Sequence, residues 1–251
     1  MPLDFTFAAF DQFCQRISHL PIFTVAGFLE RTAPPPASFL ILRLDVDYRE
    51  EHAVQMARIA GRHNVRGSFY FRRRGADFAW QAIRAVAACN HEVGYHFETL
   101  DRAKGDVDRA RELFLEDLQA FRHAGLPVRT VAAHGAPPAA PAYTGNLDLL
   151  RDEPSLLDEA ELLGETTLSV DFTRITYLSD ATWRWRRYDR YQPGQPGRPT
   201  TLRAILPELA RPDARCYITF HPHQWWPHPA QTIFFRARHR IGRRLKGWIT
   251  G

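Results

Sequence analysis

Several broad classes are excluded by what the sequence lacks. Cysteine is scarce: Cys14, Cys89 and Cys216 are odd in number and far apart, so no disulfide framework is implied, a usage that suits a reducing cytoplasm. No apolar run approaches the ~18 residues that a membrane span needs. The opening Met1-Pro2-Leu3-Asp4-Phe5 has no basic n-region of a secretory signal. The expectation is a protein that meets its substrate in the cytoplasm or at the inner face of the membrane. Internal repeats and low-complexity segments are also missing.

Acid is lacking in one place only. The chain carries 33 Lys and Arg against 28 Asp and Glu, a net charge of +5. Arg236, Arg238, Arg240, Arg243, Arg244 and Lys246 all fall after Ala230, where no acidic residue occurs. Without those cations the remainder holds one more acid than base. The basicity belongs to a tail, and a balanced domain without a basic groove argues against a nucleic-acid partner. Ile233, Phe234 and Phe235 ahead of the cations give two readings of that tail. It is a solvated terminal helix, or a peripheral contact with an anionic membrane.

What is present is a strand–helix rhythm. Residues 1–38 are expected to form an N-terminal extension, with a helix over 5–17 and an extended segment over 20–29. It ends in the stiff linker Ala33-Pro34-Pro35-Pro36-Ala37. Residues 39–229 are expected to form one domain, and 230–251 the basic tail. Strands are predicted at 39–47, 66–71, 92–98 and 128–134, each followed or preceded by helical periodicity over 50–63, 78–88 and 107–123. Four such units in succession argue for parallel strands with crossover helices. Further strands are predicted at 166–172, 175–178 and 216–221, a helix at 202–210 and a loop at 193–199. A single β/α barrel fits this pattern better than an open sheet.

Polar residues collect where the strands stop. Period-two alternation puts Asp45 and Asp47 on one face of the first strand, and His96 and Glu98 on one face of the third. The fourth ends in His134, and the last in His221-Pro222-His223. In a parallel barrel these ends open on one rim, where the active sites of such folds lie. Taken singly, an Asp there reads equally as a helix cap and a His as a hydrogen-bonded loop residue. Together, carboxylates and imidazoles on one rim call for a divalent cation, and mixed His/Asp ligation suits zinc.

These segments resemble the NodB-type polysaccharide deacetylases, carbohydrate esterase family 4, and most closely a divergent cytoplasmic branch. Arg43-Leu44-Asp45-Val46-Asp47 resembles the first motif, Ser68-Phe69-Tyr70-Phe71 the strand that follows, and Asn90-His91-Glu92-Val93-Gly94-Tyr95-His96 the strand that delivers a metal-binding His. Ile218-Thr219-Phe220-His221-Pro222 resembles the last motif. The resemblance runs from about Phe39 to Trp226. It implies a distorted (β/α)7-type barrel, with Asp45 as catalytic base, His221 as general acid, and Asp47 and His96 as metal ligands. Two positions depart from the pattern: Leu100 stands where a second ligand His is usual, and Ala132-Ala133-His134-Gly135-Ala136-Pro137 replaces an arginine-containing motif. We take His134 as the compensating third ligand, with Glu98 as its rival.

Around that set, His91 and His223 are alternative ligands or supports for the ligands, with packing a further reading of His91, and orienting His221 or contacting substrate further readings of His223. Asp180 either holds substrate or positions a histidine. Trp183, Trp185, Trp225 and Trp226 stack on sugars or pack the core. The implied activity is metal-dependent removal of an N-acyl group, most simply N-acetyl, from an amino sugar. A nucleotide- or lipid-linked precursor of a bacterial surface polysaccharide such as O-antigen is the expected substrate. The alternatives are a degenerate barrel that binds a glycan without cleaving it, and a related metal hydrolase acting on another amide or an ester.

Overall fold

The computed structural model describes residues 3–135, 145–193 and 195–249, with 243–249 as backbone. Ala136 and Pro137 of the altered motif, and Gly194 of the expected loop, lie outside the described residues. In chain order the elements begin with α1 (Phe7–Ile17), β1 (Ile22–Phe23), α2 (Val25–Leu29), β2 (Phe39–Val46) and α3 (Glu50–Arg62). Next come β3 (Ser68–Phe71), α4 (Trp80–Ala87), β4 (Glu92–Phe97), α5 (Thr99–Arg102), α6 (Val107–His123) and β5 (Thr130–Ala133). Then follow α7 (Asp148–Asp152), α8 (Ser155–Glu159), β6 (Gly164–Glu165), β7 (Thr176–Ser179), β8 (Arg186–Tyr188) and β9 (Arg198–Pro199). The chain ends in α9 (Leu202–Leu209), β10 (Arg215–Phe220) and α10 (Pro229–Ile249).

The sheet runs β6-β5-β4-β3-β2-β10-β7-β8-β9. Every neighbour pair from β6 to β7 is parallel, which gives the seven-strand wall of a β/α barrel; β8 and β9 extend it antiparallel. Among the described residues no pairing closes the ring between β6 and β9. The described wall is barrel-like.

Alternation along β2 explains both the core and the site. Leu40, Leu42, Leu44 and Val46 face outward and join α1, α3 and α9 in the larger apolar cluster. Phe39 and Ile41 face inward, where they meet Tyr70, Ala132, Tyr217 and Phe172 in a smaller cluster inside the barrel. The same inward row continues Arg43, Asp45, Asp47, so one face of one strand passes from apolar to charged as it nears the mouth. β4 and β10 behave alike: Val93, Tyr95 and Phe97, and Cys216, Ile218 and Phe220, pack outward, leaving Gly94, His96, Thr219 and His221 for the interior.

Residues 20–29 do not form one extended segment. Thr24 accepts a hydrogen bond from the Gly27 amide and starts α2, whose Ala26 amide donates to Glu92 Oε2 at 3.0 Å. A carboxylate at a helix N-terminus is favourable, and this contact seats α2 against the bottom of the barrel. The predicted strand at 166–172 is also replaced. β6 stops at Glu165, because the Glu165 carboxylate accepts from the amides of Thr167 (2.6 Å) and Leu168 (2.9 Å) and turns the chain. Among the described residues no helix is long and apolar enough to cross a membrane.

Candidate metal and hydrolytic site

At the mouth, Asp45 is buried and gripped by Arg43 through two bonds, Nε to Oδ1 at 2.7 Å and Nη2 to Oδ2 at 2.8 Å. Arg43 Nη1 donates in turn to Thr166 Oγ1 at 2.7 Å. Burial works to raise the Asp45 pKa, but the Arg43 guanidinium, together with the imidazoles of His96 and His221, holds the carboxyl below its ordinary range. Arg43 escaped the sequence reading although the signal was there, since it precedes Asp45 by two on the inward row.

One step further out, Asp47 faces three imidazoles. Its Oδ1 lies 3.4 Å from His96 Nε2 and 3.5 Å from His134 Nε2, and its Oδ2 lies 3.4 Å from His223 Nδ1. None of these is a hydrogen bond, so Asp47 Oδ1, His134 Nδ1 and His223 Nδ1 are buried atoms without a hydrogen-bond partner. One donor atom each from Asp47, His96 and His134 falls within 4.8 Å of the others. His96 Nδ1 donates to the Ala132 carbonyl at 2.9 Å, which fixes the tautomer and turns the Nε2 lone pair toward Asp47.

Burial, and then the charge of His96, push His134 down to about 4; burial likewise pushes His223 down to about 3. Both rings are therefore neutral near pH 7, the state in which imidazole binds a metal. Burial also works to raise the Asp47 carboxyl, yet the imidazoles of His96, His221 and His223 hold it well below the usual range. The orphaned Asp47 oxygen between the Nε2 atoms of His96 and His134 fits a divalent cation, which would displace the proton that, against burial, the Asp45 and Asp47 carboxylates favour on His96.

Glu98 stands apart from this set. Its Oε2 pairs with Arg72 Nε at 2.7 Å, and it groups with Asp101 and His134 rather than with His96. Sequence reasoning also missed Asn146, which is buried and donates to the His134 carbonyl at 3.0 Å and to Asp101 at 2.8 Å. It fixes the backbone of His134 from a residue with no local sequence signature.

On the other side of Asp45, His221 Nε2 lies 4.0 Å from Asp45 Oδ2. Its Nδ1 donates to Asp180 Oδ1 at 2.6 Å, and Trp225 Nε1 donates to Asp180 Oδ2 at 2.7 Å. Burial would lower the His221 pKa; the Asp180 hydrogen bond and charge overcome it and raise it to about 9. Asp180 is fully buried with both oxygens engaged, so it positions the histidine and has no face left for substrate.

Two expected sugar platforms lie elsewhere. Trp183 and Trp225 are in the core, both against Phe5, with ring centroids 5.5 and 5.4 Å away; apolar burial outcompeted the rim for both. His91 sits at the opposite end of β4 from His96. There its Nε2 donates to the Ala57 carbonyl (2.9 Å) and its Nδ1 accepts from the Gly67 amide (3.2 Å), a packing role. His223 stacks on Tyr48 at 4.1 Å beside Asp47.

Asp45, His134 and His221 line a cleft of about 890 Å³. Tyr177, Tyr188 and Tyr191 form one wall, with Tyr177 and Tyr191 ring centroids 4.4 Å apart. The volume is that of a small-molecule site.

No protein-family model and no curated protein matches the chain. Among solved structures it is similar to a CE4 family pseudoenzyme from Bacillus anthracis, at 15% identity and a TM-score of 0.44, over 86% of this chain and 63% of that one. A mutant of that pseudoenzyme with restored enzymatic activity matches at 15% identity and a TM-score of 0.43, over 86% and 65%. The chain thus spans somewhat less than two thirds of the length of the structures it matches.

Proposed function

We propose that the protein is a metal-dependent hydrolase that removes an N-acyl group, most simply N-acetyl, from an amino sugar. The observation that carries this reading is the orphaned Asp47 Oδ1 between the Nε2 atoms of His96 and His134, with the Asp45 and His221 side chains beside it. A divalent cation held by Asp47, His96 and His134, zinc by its donor set, would supply Lewis acidity toward the acyl oxygen and make hydroxide available near neutral pH. Asp45 takes the proton of the attacking water, and Arg43 keeps that carboxylate ionised and fixes its plane. His221, held by Asp180, gives its proton to the leaving nitrogen, without which an amine leaves poorly. The tyrosine wall suits the apolar face of a sugar ring. The substrate proposed is a nucleotide- or lipid-linked precursor of a surface polysaccharide.

A second reading, a barrel that binds a glycan without cleaving it, draws on Arg43, which occupies both oxygens of the proposed base. One experiment separates them. Metal content is measured in the wild type and in His96→Ala, His134→Ala and Glu98→Ala, and the metal-loaded wild type is then assayed for acetate release from N-acetylated sugar nucleotides. About one zinc per chain, lost with His96 and His134 and kept without Glu98, supports the hydrolase when acetate appears. Bound metal with no release from any sugar favours the binding barrel; no metal uptake at all retires the mechanism.

A further inference from the structure

α10 carries two faces that do different jobs. Toward the domain, Thr232 is buried and its hydroxyl donates to the Phe5 carbonyl at 2.9 Å. Phe235 stacks on Trp226 with centroids 4.0 Å apart and planes at 7°, and the Arg236 guanidinium lies 5.4 Å over the Phe5 ring. These contacts already dock the helix. At helical periodicity, Ile233, Phe234, Ala237 and Ile241 project from the side opposite Thr232, Phe235 and Arg236. Ile233, Phe234 and Ile241 are 61%, 60% and 59% exposed, so this stripe contributes nothing to the core. Arg238 and Arg240, both exposed, flank it on its two sides. No acidic residue occurs in the sequence from Ala230 onward, while Arg243, Arg244 and Lys246 continue the basic character.

We infer that the outer face of α10 is a docking surface for an anionic lipid bilayer. An apolar stripe bordered by cations on a helix of low mean hydropathy is the arrangement that lies in a headgroup plane. Each component has its partner there: the large apolar side chains enter the acyl boundary, and the bordering arginines meet phosphate. Duplex nucleic acid would use the cations but leave Ile233, Phe234 and Ile241 in water. A second copy of the helix would bury the stripe while opposing arginine to arginine, with no acid in the segment to relieve the repulsion. The inner face of the same helix lies beside the proposed site: Arg49, two residues after Asp47, rests 4.6 Å over the Trp226 ring and 5.4 Å over Phe235. A docked helix brings the mouth of the barrel near the headgroups.

The test is flotation of the full chain with vesicles of phosphatidylcholine alone or of phosphatidylcholine mixed with phosphatidylglycerol. Wild type should float with the mixed vesicles and release as salt rises. Phe234→Ser with Ile241→Ser should weaken binding at least roughly tenfold, and Arg238→Gln with Arg240→Gln roughly 30-fold. Both pairs are exposed, so their melting temperatures should match the wild type, and either pair alone suffices if the other misfolds. Failure to float, or equal flotation on both lipids, overturns the inference. So does retention on DNA or RNA that is indifferent to the serine pair, or dimerisation abolished by that pair without flotation. Metal content is read on the same preparations, so loss of this surface is distinguishable from loss of the proposed hydrolytic site.

Discussion

Arg43 and Asp45 face each other inside the barrel wall with 6% and 4% of their surface exposed. A dry pair of that kind contributes little over an apolar pair, but breaking it strands a charge. Arg43→Met is therefore expected to cost about 3–5 kcal/mol of folding stability, and adding Asp45→Asn to recover much of that loss. Urea unfolding of the two single variants and the double variant checks this; an Arg43→Met penalty below about 1 kcal/mol would mean that the carboxylate is wetter than its burial implies. His91 gives a pH dependence. Burial holds its pKa below the ordinary value in the fold. Below about pH 6.5 the unfolded chain takes up a proton that the native ring refuses, and stability falls with acid; above that, both states are neutral and the contribution is constant. His91→Gln should lose less stability than wild type between about pH 7.5 and 5.5, by up to about 1.4 kcal/mol. Alternation alone made Asp45, Asp47 and His96 legible as one inward row. It could not place Trp183 and Trp225, because a tryptophan next to a rim residue has the same local pattern whether it turns to the mouth or to the core. Partners far away in sequence decide between them, Phe5 for both and Asp180 for Trp225.

At the scale of elements, β2, β4 and β10 declared themselves because β2 is buried throughout and the other two are buried after their first residue, with strict two-sided alternation. α3 and α6 did so through helical periodicity. β6 did not, because a glutamate that bonds its own downstream amides ends a strand without any change in apolar content. The fit between β3, β4 and β5 is tight. A Cβ on Gly94 would lie 2.4 Å from the Tyr70 ring and 2.7 Å from the Thr130 carbonyl, and Tyr70 is itself tied to Thr130 Oγ1 at 2.6 Å. Gly94→Ala is expected to destabilise by about 1–3 kcal/mol through overpacking, seen as a lowered melting temperature. Its companion Tyr70→Phe, which keeps the ring, should not relieve it.

For the whole molecule, a cation bound by the native state alone must raise the stability of the entire fold. At a free concentration of 100 times its Kd the gain is about 2.7 kcal/mol. A chelator should therefore lower the melting temperature of the wild type and leave that of His96→Ala unchanged, since His96 supplies a donor to the cluster with Asp47 and His134. Equal chelator effects on both proteins would place any bound metal elsewhere. Arg49 carries a larger consequence. It starts α3 in the left-handed region, φ 58°, immediately beyond the Asp47 turn, and its guanidinium rests on the rings of Trp226 and Phe235. Left-handed backbone strains a non-glycine residue, and Arg49 forms a strut between the Asp47 segment, through its backbone, and α10, through its ring contacts. Two binding events joined by such a strut are thermodynamically reciprocal. By whatever factor anionic vesicles change the affinity for zinc, zinc changes the affinity for vesicles by the same factor.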